Sequence, residues 1–189
     1  MKKQIIFYSQ GLRYEVELSA DKTVLIGATE KAQVYLSQQE RPIQLKVDGD
    51  EAFYQYDDEA GLLKDGLCLG EVVFYLREGE SRVYDLLDLS EFQIGSQRGA
   101  LFTLDGDVEL LLQKSQNQWT LTRLKGTFYR NNHLEQMDQQ LIGFGDELSL
   151  GAVTIKFYPD EVWVQGPAQV GPQLTLREPS RYGFYEDYP

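Results

Sequence analysis

The sequence predicts an all-β chain arranged as two small domains in tandem, each a sandwich or barrel, and three observations carry that expectation. Short runs of β-branched and aromatic residues alternate with polar ones at period two, turn signals recur about every eight to twelve residues, and one segment occurs twice. Thr23 to Leu36 reads TVLIGATEKAQVYL and Glu91 to Leu104 reads EFQIGSQRGALFTL, with Ile-Gly at the same place in both. Gly27 and Gly95 lie 68 residues apart. A second matching pair, KDGLCLG ending at Gly70 and GDELSLG ending at Gly151, lies 81 residues apart, so the later copy holds thirteen more residues between its two signals. A duplication of this length reads as two copies of one small domain.

The strands are expected, in order, at Gln4 to Tyr8, Tyr14 to Leu18, Ile43 to Val47, Ala52 to Tyr56 and Val72 to Leu76 of the first copy. The second copy offers Glu109 to Leu112, Trp119 to Leu124, Val153 to Phe157 and Glu161 to Val164. Asp48-Gly49, Asp65-Gly66 and Asp105-Gly106 suit tight hairpins that need positive φ. Leu134 to Leu141 is the one passable helix, short and without a clear cap, so helix content is expected to be very low. The polar run from Arg77 to Arg82 separates a first domain at 1–80 from a second at 83–172, a close pair. Beyond Val164, Gly166, Pro167, Gly171, Pro172, Pro179 and Pro189 punctuate a stretch without strand periodicity, which makes 173–189 a short irregular C-terminal tail or linker. Its aromatics Tyr182, Phe184, Tyr185 and Tyr188 suit either a short linear motif or packing on the chain's own domain.

Composition removes several function classes. With 189 residues and 42% hydrophobic content the chain can bury two modest cores. Thirty acidic against eighteen basic side chains give a net charge of −12, which repels a phosphate backbone, so nucleic acid is not an expected partner. The acidity itself reads as a solvated surface. The single cysteine, Cys68, forms no internal disulfide and builds no zinc site; its strand-like setting suggests a buried, inert thiol in a reducing compartment. The apolar run Ile5 to Tyr8 is too short for a signal peptide, and no segment approaches the roughly 18 apolar residues of a membrane span, so this segment is expected to be soluble and not to insert into a membrane.

Catalytic constellations are equally thin. One histidine, His133, supplies neither a nucleophile-base pair with an orienting second imidazole nor a histidine metal cluster, and it reads as a surface residue. Asp57-Asp58-Glu59 and Asp85 with Asp88 lack the spacing of a calcium loop, and no phosphate-binding glycine loop occurs. No cofactor, metal or catalytic residue is expected. An enzyme with an unrecognised carboxylate site is the remaining catalytic class, although nothing selects a pair.

The second copy resembles a forkhead-associated (FHA) domain. Glu91-Phe92-Gln93-Ile94-Gly95, then Gly126-Thr127-Phe128, then Gly145-Asp146-Glu147-Leu148-Ser149-Leu150-Gly151 match the family's Ile-Gly-Arg, Asn-Gly-Thr-Phe-Val-Asn-Gly and Gly-Asp-x-Ile-x-Leu-Gly signals. The resemblance implies a β-sandwich of the kind that reads phosphothreonine, with Gly95, Gly151, Thr127 and Phe128 as turn and packing residues. The family's phosphate-binding side chains are replaced. Ala28 and Ser96 stand where the family has arginine. Ser37-Gln38-Gln39-Glu40 and Gly106-Asp107-Val108-Glu109 stand where it has Ser-x-x-His, so each ends in a carboxylate. Lys125 replaces the first family asparagine and Arg130 the second, while the first copy lacks that loop. A Glu beside a phosphate dianion opposes binding that needs convergent donors.

Both copies therefore read as FHA-like frames without the usual phosphothreonine pocket, and a phosphopeptide is not the expected partner. An alternative keeps a non-standard basic site in the second copy, formed by the loops that carry Ser96, Arg98, Arg123, Lys125, Arg130 and Asn131, for an acidic or phosphorylated segment. The tandem arrangement is similar to the cytosolic N-terminal segment of EssC/YukB-type proteins, the membrane-bound FtsK/SpoIIIE-like ATPases of type VII secretion systems. That resemblance implies a non-catalytic assembly role, protein partners within the secretion apparatus, and a cytoplasmic location tethered to the inner face of the membrane.

Overall fold

The computed structural model describes residues 2–177, and the tail aromatics from Tyr182 onward lie outside the described residues. The chain divides into two compact units, Met1–Glu78 and Gly79–Pro189. Among the described residues every regular element is a strand.

Unit 1 carries β1 (Lys2–Ser9), β2 (Leu12–Ser19), β3 (Val24–Gly27), β4 (Val34–Tyr35), β5 (Ile43–Asp48), β6 (Glu51–Tyr56), β7 (Glu59–Leu62), β8 (Leu67–Leu69) and β9 (Val72–Arg77). They pair in the orders β2-β1-β9-β8 and β4-β3-β5-β6-β7. Alternation explains the second sheet well. In β5, Ile43, Leu45 and Val47 are buried while Gln44, Lys46 and Asp48 are exposed. Ile5, Phe7, Leu18, Ile26, Ile43, Leu45 and Phe74 are fully buried in its core.

Unit 2 carries β10 (Arg82–Asp85), β11 (Glu91–Gly95), β12 (Phe102–Thr103), β13 (Glu109–Ser115), β14 (Gln118–Lys125), β15 (Tyr129–Arg130) and β16 (His133–Leu134). It continues with β17 (Gln139–Ile142), β18 (Glu147–Leu150), β19 (Val153–Phe157), β20 (Glu161–Gln165), β21 (Gln169–Val170) and β22 (Leu176–Arg177). The orders are β22-β10-β20-β19-β18-β15-β16 and β17-β14-β13-β11-β12-β21. Phe92 gathers the core, with ring centroids 5.9 Å from Phe102 and 5.1 Å from Trp119. Each such fully buried side chain contributes about 1.5–3 kcal/mol of hydrophobic stabilisation.

The repeat is visible in the hydrogen bonds. Gly27 O accepts from Leu36 N and Gly95 O accepts from Leu104 N; Leu25 O accepts from Gln33 N and Gln93 O from Leu101 N. The parallel pairs β3/β4 and β11/β12 keep the same spacing, Ile26 opposite Val34 and Ile94 opposite Phe102. The hairpins β8/β9 and β18/β19 correspond too, Leu69 facing Val72 as Leu150 faces Val153.

One slot is filled from opposite directions along the chain. In unit 1 the strand between β2 and β9 is β1, which precedes everything else, and Phe7 faces both Tyr14 and Phe74. In unit 2 the strand between β10 and β19 is β20, which follows nearly everything else, and Val164 faces both Arg82 and Ile155. Both run antiparallel to both neighbours. The same sandwich is thus closed once by its first strand and once by a late one.

Three sequence expectations are corrected. Leu134 to Leu141 is not helical: Leu134 closes β16, and Gln139–Ile142 form an edge strand against β14. Arg123 takes the carbonyls of Glu135 and Gln136, at 2.9 and 3.3 Å, which withdraws two acceptors a helix would need. The stretch beyond Val164, which shows no strand periodicity, nevertheless holds two short strands, β21 against β12 and β22 against β10. Of the three Asp-Gly pairs only Asp48-Gly49 makes a two-residue hairpin, with Asp48 opposite Glu51. Gly66 and Gly106 serve turns in longer loops, with φ of +84° and +119°.

Candidate functional site

The unit 2 residues that stand at the positions of the FHA motifs lie in the loops that follow β11, β12 and β14. They are drawn together by two glycines. Gly95 has φ +141° and Gly126 φ +81°; a Cβ on Gly95 would strike the Val108 carbonyl oxygen, and one on Gly126 would lie 2.7 Å from Val108 Cα. Ser96 N then donates to Val108 O at 3.1 Å. Phe128 is 1% exposed and anchors the third loop from below. Thr127 is exposed, so the ring rather than the hydroxyl makes that attachment.

Three of the six candidate residues are engaged within the fold. Arg123 grips Asp138 with Nε at 3.2 Å and Nη2 at 2.8 Å, and its guanidinium lies 6.0 Å from the Phe128 ring. Arg130 places Nε 3.1 Å from Glu135 Oε2 and Nη1 3.4 Å from Asp146 Oδ2. Asn131 donates to Asp146 Oδ1 at 3.0 Å and accepts from Glu147 N at 3.0 Å. It also forms, with Asn132, the left-handed turn between β15 and β16, with φ of +50° and +72°. These arginines hold down the thirteen-residue addition that distinguishes unit 2. Burial pushes the Glu135 carboxyl up, but hydrogen bonds from Gln140 and the Met137 backbone, with the Arg130 charge, outweigh it and leave it below the ordinary range.

Ser96, Arg98 and Lys125 are exposed and, among the described residues, no hydrogen bond or ion pair joins their side chains to that network. Arg98 instead lines a cleft of about 300 Å3 with Glu91, Gln93 and Gln173. The six residues therefore form one bound cluster and three separate positions.

At the corresponding end of unit 1, Ala28 N donates to Gln39 O at 2.8 Å. The Gln39 side chain, only 3% exposed, accepts from Glu71 N at 3.0 Å and donates to Arg41 O at 2.8 Å. It ties the loop after β4 to the β8–β9 turn. A polar side chain buried under a loop leaves no periodicity, and the run Ser37 to Glu40 offers no signal that would have singled out Gln39.

His133 is exposed, with Nδ1 3.0 Å from Asn131 O. Cys68 is also exposed, which corrects the expectation of a buried thiol: strand alternation in β8 turns Leu69 inward and Cys68 outward. No group of three metal-ligating side chains occurs among the described residues.

The fold is that of the FHA β-sandwich. The chain superposes on a solved structure described as the "N-terminal FHA domain from EssC a component of the bacterial Type VII secretion apparatus", with a TM-score of 0.75 and 17% sequence identity, over 95% of this chain and 99% of that one. At that identity the likeness is one of fold. No protein-family model and no curated protein matches the sequence.

Proposed function

We propose that the chain is a non-catalytic interaction module that assembles a type VII secretion ATPase with other protein components of its apparatus, on the cytoplasmic face of the membrane, through two FHA-like domains that do not read phosphothreonine. The whole-chain likeness to the EssC domain supports the setting. The state of the loop ends supports the loss of phosphate reading, and it is the observation that carries the proposal. Ala28 and Ser96 offer no guanidinium, Arg123 and Arg130 are already paired with Asp138, Glu135 and Asp146, and Gln39 fills the unit 1 loop end. Phosphate capture needs several convergent charged donors, and a guanidinium engaged by a carboxylate must first be released.

Capture of secretion components by the purified chain, before and after phosphatase treatment of the extract, tests the reading. Equal capture is expected. Phosphatase-sensitive capture overturns it. Charge reversal at both Arg98 and Lys125, which are exposed and outside the ion-pair network, is expected to leave that capture unchanged.

A further inference from the structure

The cleft that Arg98 lines beside β11 holds about 300 Å3 and combines two open hydrogen-bond donors with an apolar floor, Phe92 and Leu101, which are 5% and 3% exposed. The first donor is Arg98 itself. Arg13 and Arg77 pair with Glu15, Arg41 with Asp57, Arg123 with Asp138, and Arg130 with Glu135 and Asp146, while Arg82 donates to Gly166 O at 2.9 Å. Among the described residues no carboxylate or carbonyl engages the Arg98 guanidinium. In a chain with thirty acidic side chains an unengaged arginine is the exception. The carboxylate in the lining, Glu91, accepts from Gln113 Nε2 at 2.9 Å.

The second donor is a backbone N–H. A strand residue turns its N–H and C=O to the same side, and Gln93 O accepts from Leu101 N at 2.8 Å, so the Gln93 N–H faces that side as well. Unit 1 repeats the geometry 68 positions earlier, where Leu25 O accepts from Gln33 N, and there Leu25 N donates to Gln33 Oε1 at 2.6 Å. Unit 2 has Leu101 in place of Gln33, and a leucine side chain accepts nothing. Among the described residues no acceptor meets Gln93 N. Unit 1 also carries Glu30 where unit 2 carries Arg98. One copy satisfies the N–H from within and sets an anion beside it; the other leaves the N–H open and sets a cation there.

We propose that this cleft binds a small organic monocarboxylate, its two oxygens on the Arg98 guanidinium and the Gln93 N–H and its aliphatic or aromatic body on Phe92 and Leu101. A guanidinium fork matches the plane of a carboxylate, and an open backbone N–H in a cleft gains from any acceptor that reaches it. Glu91 in the lining opposes a dianion, which selects against phosphate. The volume lies at the low end of small-molecule sites, about 300–1,000 Å3. The inference goes beyond the interaction-module reading and does not rest on it.

The test is a titration of the 15N-labelled chain, at constant ionic strength, with sodium acetate, butyrate and benzoate, with benzamide as the uncharged control and phenyl phosphate as the dianion. Butyrate and benzoate are expected to shift the Gln93 amide and Arg98 Nε signals, acetate to do so more weakly for want of an apolar body, and benzamide not at all. Arg98→Gln, an exposed change, should weaken benzoate at least tenfold. Leu101→Gln, which sets the unit 1 residue at that place, should give Gln93 N its own acceptor and abolish its response; where it disturbs folding, Arg98→Gln decides. No Gln93 response to any of the carboxylates at millimolar concentration, an equal response to benzamide, equal benzoate binding by Arg98→Gln, or tighter binding of phenyl phosphate than of benzoate would overturn the inference. Phosphatase sensitivity of capture bears on the module reading alone, so either reading can fail without the other.

Discussion

The two units share a frame and differ in the loops that close it. Unit 1 closes its loop end with Gln39, whose amide bonds the β8–β9 turn. Unit 2 leaves Val108 at the matching place and secures an added hairpin with Arg123, Arg130 and Asn131. The difference teaches that one frame can build its loop end in two ways: with a neutral side chain buried beneath the loop in unit 1, and with ion pairs across an added hairpin in unit 2.

The strongest way to break the comparison is through the shared slot. Phe7 is fully buried on β1, where unit 2 has Val164 on β20. Phe7→Ala is expected to destabilise unit 1 by about 3–5 kcal/mol. Both tryptophans, Trp119 and Trp163, belong to unit 2, so hydrogen exchange over residues 2–77 reports the change while tryptophan fluorescence reports the other unit. A loss of equal size by both probes would show that the units unfold as one.

Next in size is the pair of glycines after the repeated isoleucines. At Gly95 a methyl would strike the Val108 carbonyl oxygen, whereas at Gly27 it would lie 3.0 Å from Pro42 Cα and 3.2 Å from Gln39 O. Gly95→Ala is expected to cost about 2–4 kcal/mol and Gly27→Ala about 1–2 kcal/mol, the larger figure reflecting direct overlap with backbone. Urea titrations of the two variants check the ranking, and a reversed order would remove the claim that unit 2 packs its loops more tightly.

How much of this was legible depends on the kind of interaction. Ile26-Gly27 and Ile94-Gly95 announced the repeat because an apolar residue before a positive-φ glycine is a local property, but β3 and β11, the strands that end at them, were not among the expected ones. The exchange of β1 for β20 was not legible, since Ile5 and Phe7 look the same whichever sheet neighbour they meet. Two-residue strands such as β12, β15, β21 and β22 are too short to show a period. The arginines of the loops were found, but their partners were not: Arg123 to Asp138 spans the very segment that Leu134, Met137 and Leu141 made look helical.

A smaller effect sharpens the contrast at the loop end of unit 1. Gln39→Ala removes the acceptor of Glu71 N, a part-buried hydrogen bond, and is expected to cost about 1 kcal/mol, read by hydrogen exchange at Glu71. Val108→Ala removes only apolar contact from unit 2 and should leave the Ser96 N–H bond to residue 108 protected, because that bond uses backbone alone.

The smallest effect separates the two units by pH. Glu135 titrates below its ordinary value of about 4.5: burial raises it, but Gln140, the Met137 N–H and Arg130 together lower it further. A depressed folded-state value means that the ionised group stabilises the fold above that ordinary value, and that the contribution is lost as pH falls through the folded value. Glu135→Gln should therefore be less stable than wild type at pH 7 and approach it at pH 3. In unit 1, Asp21 is also lowered, chiefly by the Ser19 hydroxyl at 2.9 Å, but it is fully exposed and solvent screens it. Asp21→Asn should accordingly show a weaker pH dependence in the same denaturation series. A stability gap for Glu135→Gln that does not narrow in acid would mean that the ion pair with Arg130 contributes nothing to holding the added hairpin in place, and would leave Asp146 as the carboxylate that secures Arg130.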